Sequence, residues 1–444
     1  MDVGISYIDF YIPKNYLDIE EFSINRNING DKLKKGLGIE KMAFLDVHED
    51  TATMAANALN NLIEKNDMDP LGINRIYLGT ESALDSSKPT ATYAVDMVEQ
   101  KFGKRVFKHT DVVDMTFACV GAVDVLQNAL DYVRVHPEDK VVVIASDFAK
   151  YDLESPGEYT QGAGAVALLV ESAPQLMSFS ATFGVGFKSA HDFFKPRRQY
   201  PVNAETQDYT TDKTLQVYRE EPVFDGQFSN QCYQNRIREA YFHYKSKASV
   251  NETLHDRWSS LIFHLPYASH GKRIFTEIYQ LEKDNRQPDD TSAQIYDFDT
   301  LKALAKSDEY RAFVQKKINT AQLASGQIGN MYAASIFMSL ISELVYKKDD
   351  LKAGERFGFI AYGSGSKAKV FEGHLAKGFA SSVNNLQLEE RLADRQAIDF
   401  ETYEQLHRKV LKTSVNQPKH EFVLKHIANP GDPLVGNRVY EFIE

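Results

Sequence analysis

Short apolar runs rich in β-branched residues alternate along this chain with segments that carry apolar residues at helical spacing. A β-branched run bounded by turn residues is typical of a strand, whereas apolar residues at every third or fourth position are typical of a helix. The runs that predict strands are 3–12, 75–79, 140–146, 165–171, 259–264 and 356–362. Because strands and helices alternate, the sequence predicts an α/β architecture.

Helical patterns fill the intervals between these runs. Residues 51–65 form one such pattern, with Asp50 or Thr51 in position to be the N-cap residue. Apolar residues also recur at helical spacing after Cys119, which predicts a helix there. A more apolar pattern over 331–346 predicts a helix buried within the fold.

Three parts of the chain depart from this alternation. Residues 201–222 are polar and rich in turn formers, and residues 281–312 carry many charges with few apolar side chains. Loops tolerate insertion at modest entropic cost, so both segments are interpreted as surface excursions. From about Gly378 the chain is charged but keeps periodic apolar residues, which favours a packed C-terminal extension over disorder.

The charge balance and the cysteine content argue against several classes of protein. Lys and Arg number 51 against 62 Asp and Glu, and the net charge of −11 argues against nucleic acid and anionic membranes as partners. The sequence shows neither a secretory leader pattern nor the roughly 18 successive apolar residues that span a bilayer. Two cysteines without a CxxC pair favour neither a disulfide framework nor a cysteine zinc site. These features predict a reduced, cytoplasmic protein.

Cys119 follows an apolar stretch and opens a predicted helix of small residues. The positive end of a helix dipole favours thiolate, so this position predicts a lowered pKa and a nucleophilic sulfur. A free cysteine is also often an inert buried thiol, and the sequence around Cys119 alone leaves that alternative open. Nothing near Cys232 indicates activation.

Two further side chains stand where predicted strands end. Glu81 follows the run 75–79, and a strand can deliver such a carboxylate to the edge of a sheet. His264 closes the run 259–264 and precedes a Leu-Pro turn. Each residue taken alone also fits an ordinary alternative: a solvated surface carboxylate for Glu81 and a hydrogen-bonded core histidine for His264.

Two glycine-containing loops complete the candidate chemistry. The loop at 327–332 opens the predicted helix 331–346, and the loop at 362–366, Tyr-Gly-Ser-Gly-Ser, follows a predicted strand. The second loop can bring backbone N–H groups to an oxyanion or a phosphate. Neither loop matches a P-loop, a dinucleotide fingerprint or the GxSxG nucleophile elbow.

In chain order these motifs resemble the 3-hydroxy-3-methylglutaryl-CoA synthase family of the thiolase superfamily. The resemblance runs from the first strand to about Gly373, apart from the two excursions. Its specific positions are Glu-Ser at 81–82, Ala-Cys at 118–119, Tyr151 with TQGAGAVA at 160–167, DFFKP at 192–196 with VFDGQFSNQCY at 223–233, FHLPY at 263–267, GNMY at 329–332 and YGSGS at 362–366. Single matches of this length are common, but seven in the same order are specific.

The resemblance implies a thiolase-like, five-layered αβαβα fold built from two similar halves. The first half, 1–172, would contain the nucleophile. The second half, 173–444, would contribute the histidine and asparagine of the site, and it would carry the two excursions and the C-terminal extension. Members of the superfamily usually form homodimers, so a homodimer is expected.

The resemblance also assigns roles to matching positions. Cys119 would carry acetyl as a thioester, Glu81 would remove a proton from the acetyl methyl group and later protonate the new alkoxide, and His264 would lie beside the second substrate. The residues expected to bind the acyl chains and coenzyme A are Asn330, Tyr151, Ser229, Ser364 and Lys272. A partly desolvated carboxylate has a raised pKa, so it can act as a base and then as an acid near neutral pH.

The implied reaction joins acetyl-CoA, acetoacetyl-CoA and water to give 3-hydroxy-3-methylglutaryl-CoA and free CoA, in the mevalonate route to isoprenoids. Coenzyme A thioesters are the substrates, and neither a cofactor nor a metal is expected. One alternative is a β-branching synthase of polyketide biosynthesis, which performs the same condensation on a substrate tethered to an acyl-carrier protein. A second is an inactive thiolase-fold scaffold, against which the joint presence of Cys119, Glu81 and His264 argues.

The sequence departs from the family pattern at two places. Val120 and Val123 replace an aromatic residue and a threonine after the nucleophile. Ser269 and His270 occupy the turn where a lysine often reaches the coenzyme A phosphates, and this difference keeps the carrier-protein alternative open. Other basic residues that could hold the phosphates, or form only a solvated basic surface, are Lys272, Arg273, Lys195, Arg197 and Arg198.

Overall fold

The structure is a computed structural model that describes residues 2–288 and 295–444. The predicted excursion 281–312 therefore lies partly outside the described residues. Its described part contradicts a surface excursion, because helices begin at Phe298 and Asp308 and the side chains of Leu301 and Tyr310 are buried, that of Tyr310 in a core with Trp258. The strands are β1 (Val3–Tyr11), β2 (Asn15–Asp18), β3 (Lys41–Ala43), β4 (Arg75–Gly79), β5 (Asp111–Met115), β6 (Val141–Ala149), β7 (Gly162–Ser172), β8 (Met177–Phe187), β9 (Phe193–Phe194), β10 (Arg198–Pro201), β11 (Thr214–Val217), β12 (Val223–Phe224), β13 (Ser260–Phe263), β14 (Arg356–Gly363), β15 (Lys367–Leu375), β16 (Gln396–Ile398), β17 (Glu421–Ile427) and β18 (Arg438–Ile443).

The helices vary in length and in how much of their surface they bury. They are α1 (Ile19–Asn25), α2 (Thr51–Lys65), α3 (Thr90–Phe102), α4 (Gly121–Val135), α5 (Gly226–Lys247), α6 (His270–Ile274), α7 (Thr276–Lys283), α8 (Phe298–Lys306), α9 (Asp308–Lys317), α10 (Leu323–Ile328), α11 (Ser335–Tyr346), α12 (Phe379–Asn384), α13 (Leu388–Ala393) and α14 (Phe400–His407). Among the described residues, none of these helices combines the length and the apolar character that crossing a bilayer requires.

The central sheet repeats one topology twice. Across the part of the chain that the structure describes, it has nine strands in the order β13-β14-β15-β8-β1-β7-β6-β4-β5. In the first half, β1 pairs antiparallel with β7, β7 antiparallel with β6, and β6 parallel with β4. In the second half, β8, β15, β14 and β13 follow each other with the same three relations. The two halves are therefore similar in fold.

A single short contact joins the two half-sheets. Gly4 pairs with Ser178 and Ile5 with Met177, and this register links β1 to β8. A Cβ atom at Gly4 would lie 2.0 Å from the Met177 carbonyl oxygen, so only glycine permits this approach. This short pairing of β1 with β8 is the place where the two half-sheets are joined.

Both faces of the sheet are buried, and the burial defines the layers. Successive residues of a strand point to opposite faces. In β7, the even-numbered residues from 166 to 170 share a core with α4 and α11, whereas the odd-numbered residues from 163 to 169 share one with α2 and α3. In β14, residues 357 and 359 face the same middle layer, and residues 360 and 362 share a core with α5. The order helix, sheet, helix, sheet, helix confirms the predicted αβαβα fold.

The strands and helices that the sequence predicted are present, with ends that differ by a few residues. The N-cap of α2 is Asp50, whose carboxylate accepts hydrogen bonds from the backbone N–H groups of Ala52 and Thr53. Strands β8 and β15 were not predicted, because their apolar residues are separated by serine, glycine or lysine. The helix α5 was also missed, since its buried side chains include polar residues such as Arg238 and Asn235.

The chain after Gly378 is folded against the first half. Strand β16 pairs parallel with β2. The Leu424 N–H, on β17, donates to the backbone oxygen of His48 at 2.8 Å. The Asn57 side chain accepts from the Phe422 N–H at 2.8 Å and donates to its carbonyl oxygen at 3.0 Å.

Tyr11 ties this extension to the first strand. Its hydroxyl lies 2.6 Å from Glu49 Oε1 and 2.6 Å from Glu421 Oε2, and both carboxyl groups are buried. A hydroxyl has one hydrogen, so the second contact is a hydrogen bond only if that carboxyl carries a proton. Burial raises the pKa of Glu49 to about 8, which identifies Glu49 as the protonated partner.

We expect Glu49→Gln to change the pH dependence of stability. The Gln amide can accept from the Asp46 N–H, as Glu49 Oε2 does at 2.7 Å, and donate to Tyr11 without carrying a titrating proton. Folded Glu49 holds its proton to about pH 8, against an ordinary value of 4.5, so the wild type loses stability as pH rises through this interval. At pH 9 the free energy of unfolding of the variant should exceed that of the wild type by at least about 1.4 kcal/mol, the equivalent of one pKa unit.

The measurement is urea unfolding of both proteins between pH 5 and pH 9. Their difference in the free energy of unfolding should be smallest at pH 5. A difference that is the same at every pH would contradict the shared proton.

Candidate active site

The loop before α4 holds Cys119 next to Glu81. The Cys119 thiol donates a hydrogen bond to Glu81 Oε1, with 2.9 Å between the sulfur and the oxygen. Ala118, directly before the cysteine, has a φ of 41°, a left-handed conformation that non-glycine residues rarely adopt. Such backbone strain is often found where a loop holds a reactive side chain.

Close packing between β4 and α4 makes this contact possible. A Cβ atom at Gly79 would lie 2.5 Å from Ala122 Cα, so the glycine lets the helix rest directly on the end of the strand. Glu81 follows that strand and Cys119 precedes that helix. The two side chains therefore meet at the sheet edge where the sequence predicted a carboxylate and a nucleophile.

Asp147, on β6, fixes the backbone beneath the pair and was not predicted from the sequence. Its Oδ1 accepts from the Thr80 hydroxyl at 2.8 Å and from the Glu81 N–H at 2.9 Å. Its Oδ2 accepts from the Ala333 N–H at 3.0 Å, in the second half of the fold. One buried carboxylate thus connects the two halves at the site.

The electrostatics of the pair differ from the sequence prediction. Burial raises the pKa of Glu81 to about 7, although the nearby Lys195 ammonium lowers it. Burial also raises the pKa of Cys119 well above its ordinary value, and the Glu81 carboxylate adds to the rise. The prediction of a lowered thiol pKa is wrong, because desolvation and a neighbouring anion oppose the helix dipole. The thiol holds its proton, and Glu81 is the group placed to accept it.

Lys195 lies at the catalytic pair rather than on a solvated loop. Its ammonium donates to the Glu81 carbonyl oxygen at 3.2 Å and stands 4.7 Å from the centre of the Tyr332 ring. Its neighbours point elsewhere: Arg197 donates to the Ser86 hydroxyl and Arg198 to the Glu221 carbonyl oxygen. Of these three basic residues, Lys195 is the one that acts on the site.

His264 directly follows β13 and is a buried, neutral imidazole. Its Nδ1 lies 2.7 Å from Ser335 Oγ at the start of α11, and Ser335 Oγ also accepts from the Leu265 N–H at 2.9 Å. Burial lowers the pKa of His264 to about 3, so the ring is uncharged at neutral pH. A neutral imidazole can donate a hydrogen bond to a carbonyl oxygen without adding a charge to the site.

Tyr151 lies in an aromatic cluster around the cysteine. Cys119, Tyr151 and Tyr332 share a small core, against which Phe193 and Phe224 pack. The Tyr151 ring meets those of Phe224 and Tyr332 edge to face, with centres 5.3 and 6.4 Å apart. The cluster limits water around the thiol.

Asn330 is also buried and stands on the loop that leads into this cluster. Its Oδ1 accepts from the Tyr332 N–H at 2.8 Å. Its backbone N–H donates to the Thr160 carbonyl oxygen at 3.1 Å, which binds the loop to the first half.

Asp192 joins Ser229 to the turn that contains Ser364. Its Oδ2 accepts from the Ser229 hydroxyl at 3.5 Å and from the Tyr362 hydroxyl at 2.5 Å, and its Oδ1 accepts from the Gly365 N–H at 2.8 Å. Ser364 lies in the same turn, between β14 and β15. A Cβ at Gly363 would lie 2.7 Å from the Phe117 carbonyl oxygen, so this turn rests on the cysteine loop.

Lys272 and Cys232 are not part of this cluster. Lys272 lies on α6, and no hydrogen bond or ion pair among the described residues joins its side chain to the catalytic pair. Its pKa is lowered by burial and by the adjacent Arg273. Cys232 is buried on α5, and burial raises the pKa of its thiol.

A cavity of about 1190 Å³ opens beside the catalytic pair. Its lining includes Ser82 and Lys195, together with the end of the 201–222 excursion and parts of the C-terminal extension. Lys150 holds that end in place with contacts of 3.1 Å to both Glu220 and Glu221. The excursion is thus a wall of the cavity as well as an exposed hairpin.

Comparison with known proteins gives a consistent family. The model described as Hydroxymethylglutaryl-coenzyme A synthase N terminal matches residues 1–174, and its C-terminal counterpart matches residues 178–425. The Hydroxymethylglutaryl-CoA synthase of Haloferax volcanii is 30% identical over 100% of this chain and 99% of the relative. That of Enterococcus faecalis is 31% identical over 94% of each chain.

Solved structures agree with these relatives. A structure of MvaS in complex with 3-hydroxy-3-methylglutaryl coenzyme A is 28% identical, with a TM-score of 0.84 over 100% of this chain and 99% of that one. An HMG synthase of the curacin biosynthetic pathway, in complex with acetyl donor-ACP, is 22% identical with a TM-score of 0.80, which shows a shared fold. The two family models cover nearly the whole chain, and this chain belongs to the hydroxymethylglutaryl-CoA synthase family of condensing acyltransferases.

Proposed function

We propose that this chain condenses acetyl-CoA with acetoacetyl-CoA through an acetyl thioester on Cys119 and releases 3-hydroxy-3-methylglutaryl-CoA. The observation that carries the proposal is the 2.9 Å hydrogen bond from the Cys119 thiol to Glu81 Oε1. It pairs a nucleophile with a proton acceptor in a buried site. The relatives named above, and the MvaS structure that holds 3-hydroxy-3-methylglutaryl coenzyme A, support the choice of substrates.

The first step is transfer of acetyl to the cysteine. The thiol proton passes to Glu81 while the sulfur attacks the acetyl-CoA carbonyl carbon. Collapse of the tetrahedral intermediate breaks the bond to the coenzyme A sulfur, which leaves with the proton that Glu81 received. The buried position of Cys119 disfavours a free thiolate, so proton transfer and attack are coupled.

The second step forms the carbon–carbon bond. Glu81, again ionised, removes a proton from the methyl group of acetyl-Cys119, and the resulting enolate attacks the ketone carbon of acetoacetyl-CoA. The proton on Glu81 then moves to the new alkoxide oxygen. A pKa of about 7 suits both transfers, since the carboxyl gains and loses its proton readily at neutral pH.

The third step is hydrolysis, in which water adds to the thioester carbonyl and releases the Cys119 thiol. The neutral imidazole of His264 is proposed to donate to the acetoacetyl ketone oxygen, which becomes the alkoxide in the second step. Tyr151, Asn330, Ser229 and Ser364 are proposed to line the acyl chains. Tyr151 packs with Cys119, and Asn330 bonds to Tyr332 of the same cluster. Ser364 lies in the turn that rests on the cysteine loop, and Ser229 bonds to Asp192, which holds that turn. Lys272 remains a candidate for the coenzyme A phosphates.

The carrier-protein alternative rests on the turn after His264. The Ser269 hydroxyl donates to the Gly36 carbonyl oxygen at 2.8 Å, so it is used in a contact between loops. Arg273 donates to the same oxygen at 2.6 Å, and Lys272 stands beside it. This basic surface suits the phosphates of coenzyme A and equally the acidic surface of a carrier protein.

We propose that this chain is a cytoplasmic enzyme of the mevalonate route and acts as a homodimer. The family resemblance supports the location, the route and the dimer, and one edge of the central sheet also supports the dimer. Strand β5 is an outer strand of the central sheet, and its residues are only partly buried. Such an open edge is suited to pairing with a second copy.

The direct test is a condensation assay of the purified protein with acetyl-CoA as donor. The second substrate is free acetoacetyl-CoA in one assay and acetoacetyl-carrier protein in the other. We expect turnover with the free thioester and radiolabelled acetyl on Cys119. Cys119→Ser should lose the label, and Cys232→Ser should keep both label and turnover. Turnover with the carrier protein alone would establish the alternative, and label on Cys232 would contradict the proposed nucleophile.

Glu81→Ala should separate acyl transfer from condensation. The variant keeps the cysteine, so acetyl-Cys119 should still form, although more slowly because the thiol loses its proton acceptor. Condensation requires removal of a methyl proton and should fall by at least about 10²- to 10⁴-fold, the usual contribution of general base catalysis. Both steps are measured on one folded preparation, with Glu81→Gln as the variant of equal size. Near-normal condensation by either variant would end the proposed role.

Lys195→Met should move the pH profile of condensation. The rate rises with pH as Glu81 ionises, and the Lys195 cation lowers the Glu81 pKa in the wild type. Removing the cation raises that pKa, so the midpoint of the rise, near pH 7 in the wild type, should move upward by on the order of one unit. The matched control is Lys213→Met, in the exposed part of the excursion, which should leave the midpoint unchanged. A midpoint that stays in place in both variants would exclude Lys195 as the tuning charge.

A further inference from the structure

Ser335 stands at the start of α11 and is buried against His264, with only 1% of its surface exposed. Its Oγ lies 2.7 Å from His264 Nδ1 and 2.9 Å from the backbone nitrogen of Leu265. The reaction steps above use His264 but assign no task to Ser335. Because the two residues come from different elements, only the fold brings the hydroxyl to the imidazole.

The hydrogens at this contact can be counted. The Leu265 N–H donates to Ser335 Oγ, so the serine oxygen is an acceptor there. The serine hydroxyl also has one hydrogen of its own, and among the described residues its acceptor is His264 Nδ1. If Nδ1 carried a hydrogen instead, the buried hydroxyl hydrogen would have no acceptor in the part of the chain that the structure describes, which is costly in an interior. The count makes Ser335 the donor and Nδ1 the acceptor.

This direction of donation decides the tautomer of His264. Burial lowers the pKa of His264 to about 3, so the ring is neutral and carries a single hydrogen. Since Nδ1 accepts from Ser335, that hydrogen is on Nε2. The proposed function needs the same tautomer, because Nδ1 is occupied by the serine and a hydrogen bond to the ketone oxygen has to come from Nε2.

We propose that Ser335 is a positioning residue of the condensation step, which holds His264 with its hydrogen on Nε2. The inference rests on the proposed function, in which His264 donates to the acetoacetyl ketone oxygen. That oxygen becomes an alkoxide as the carbon–carbon bond forms, so a hydrogen bond from Nε2 is stronger in the transition state than in the bound substrate. Loss of Ser335 therefore lowers the maximal rate of condensation more than it weakens binding of the second substrate.

The other contacts of His264 fix its place but not its hydrogen. Its backbone N–H donates to the Ile360 carbonyl oxygen at 3.0 Å, and its carbonyl oxygen accepts from the Tyr233 hydroxyl at 2.6 Å. The Tyr233 ring also stacks on the imidazole, with ring centres 6.1 Å apart. These three contacts do not engage a ring nitrogen as donor or acceptor. Without the Ser335 hydroxyl, the imidazole is expected to stay in place but to populate both tautomers.

The first test reads the position of the hydrogen by NMR. The protein is labelled with histidine that carries the heavy isotope of nitrogen, and the His264 ring signals are those that disappear in His264→Gln. In the wild type, the chemical shifts should show Nε2 with a hydrogen and Nδ1 without one. Ser335→Ala should move both signals towards the values of mixed tautomers, and Ser335→Thr, which keeps the hydroxyl, should retain the wild-type values. A wild-type spectrum with the hydrogen on Nδ1, or unchanged signals in Ser335→Ala, would overturn the proposal.

The second test measures acetylation and condensation separately. Ser335→Ala should lower the maximal condensation rate roughly tenfold, the value of one hydrogen bond, while acetyl-Cys119 forms at the wild-type rate. Ser335→Thr should recover most of the loss. The matched control is Ser339→Ala, one turn along the same helix, which removes a buried hydroxyl that donates to the Ser335 carbonyl oxygen at 3.0 Å. This control should leave both rates unchanged.

A double variant shows whether Ser335 acts through the imidazole. Adding Ser335→Ala to His264→Ala should cause no further loss of condensation, because the group that the serine positions is already absent. A further loss in that background, or slower acetylation in Ser335→Ala alone, would establish a structural role and overturn the proposal. A wild type that does not condense the two thioesters would instead contradict the proposed function. The NMR signals would still report the tautomer in that case, so the two failures are distinct.

Discussion

The hydrogen bond between Cys119 and Glu81 is the contact on which the site depends. It joins a residue that precedes a helix to one that follows a strand, and it exists because Gly79 lets that helix rest on the strand end. Asp147 then fixes the Glu81 backbone and reaches the second half through the Ala333 N–H. The two halves of the fold must therefore be assembled before the chemistry is in place.

Burial governs the acid–base properties of Cys119, Glu81 and His264. It raises the pKa of Glu81 to about 7 and that of Cys119 well above its ordinary value, and it lowers the pKa of His264 to about 3. The Cys119 thiol is thus protonated, the Glu81 carboxyl is partly ionised and the His264 imidazole is neutral. The Lys195 ammonium limits how far the Glu81 pKa rises. In the proposed mechanism, one proton moves between neighbouring groups and Cys119 does not rest as a free thiolate.

The structure shows the surroundings of two residues, Ser269 and His270, at which this chain departs from the family pattern. Ser269, in the place of a family lysine, bonds to Gly36 and connects α6 to the loop before β3. His270, beside it, is buried between the Tyr233 and Tyr267 rings, and neither of its ring nitrogens has a hydrogen-bond partner among the described residues.

The sequence by itself determined the α/β class and most elements of the central layers, because local periodicity is visible in a linear chain. The roles of Cys119, Glu81 and His264 were implied by the resemblance of their motifs to a known family, since each residue taken alone also fits an ordinary alternative. The periodicity missed β5, β8, β15, α3 and α5. In β8, β15 and α5, glycine, lysine and buried arginine hide the apolar pattern. Only the tertiary structure decided the raised thiol pKa, the place of Lys195 and the role of Asp147. Each of these depends on burial or on a charge from a distant segment, and neither quantity is encoded in the neighbouring residues.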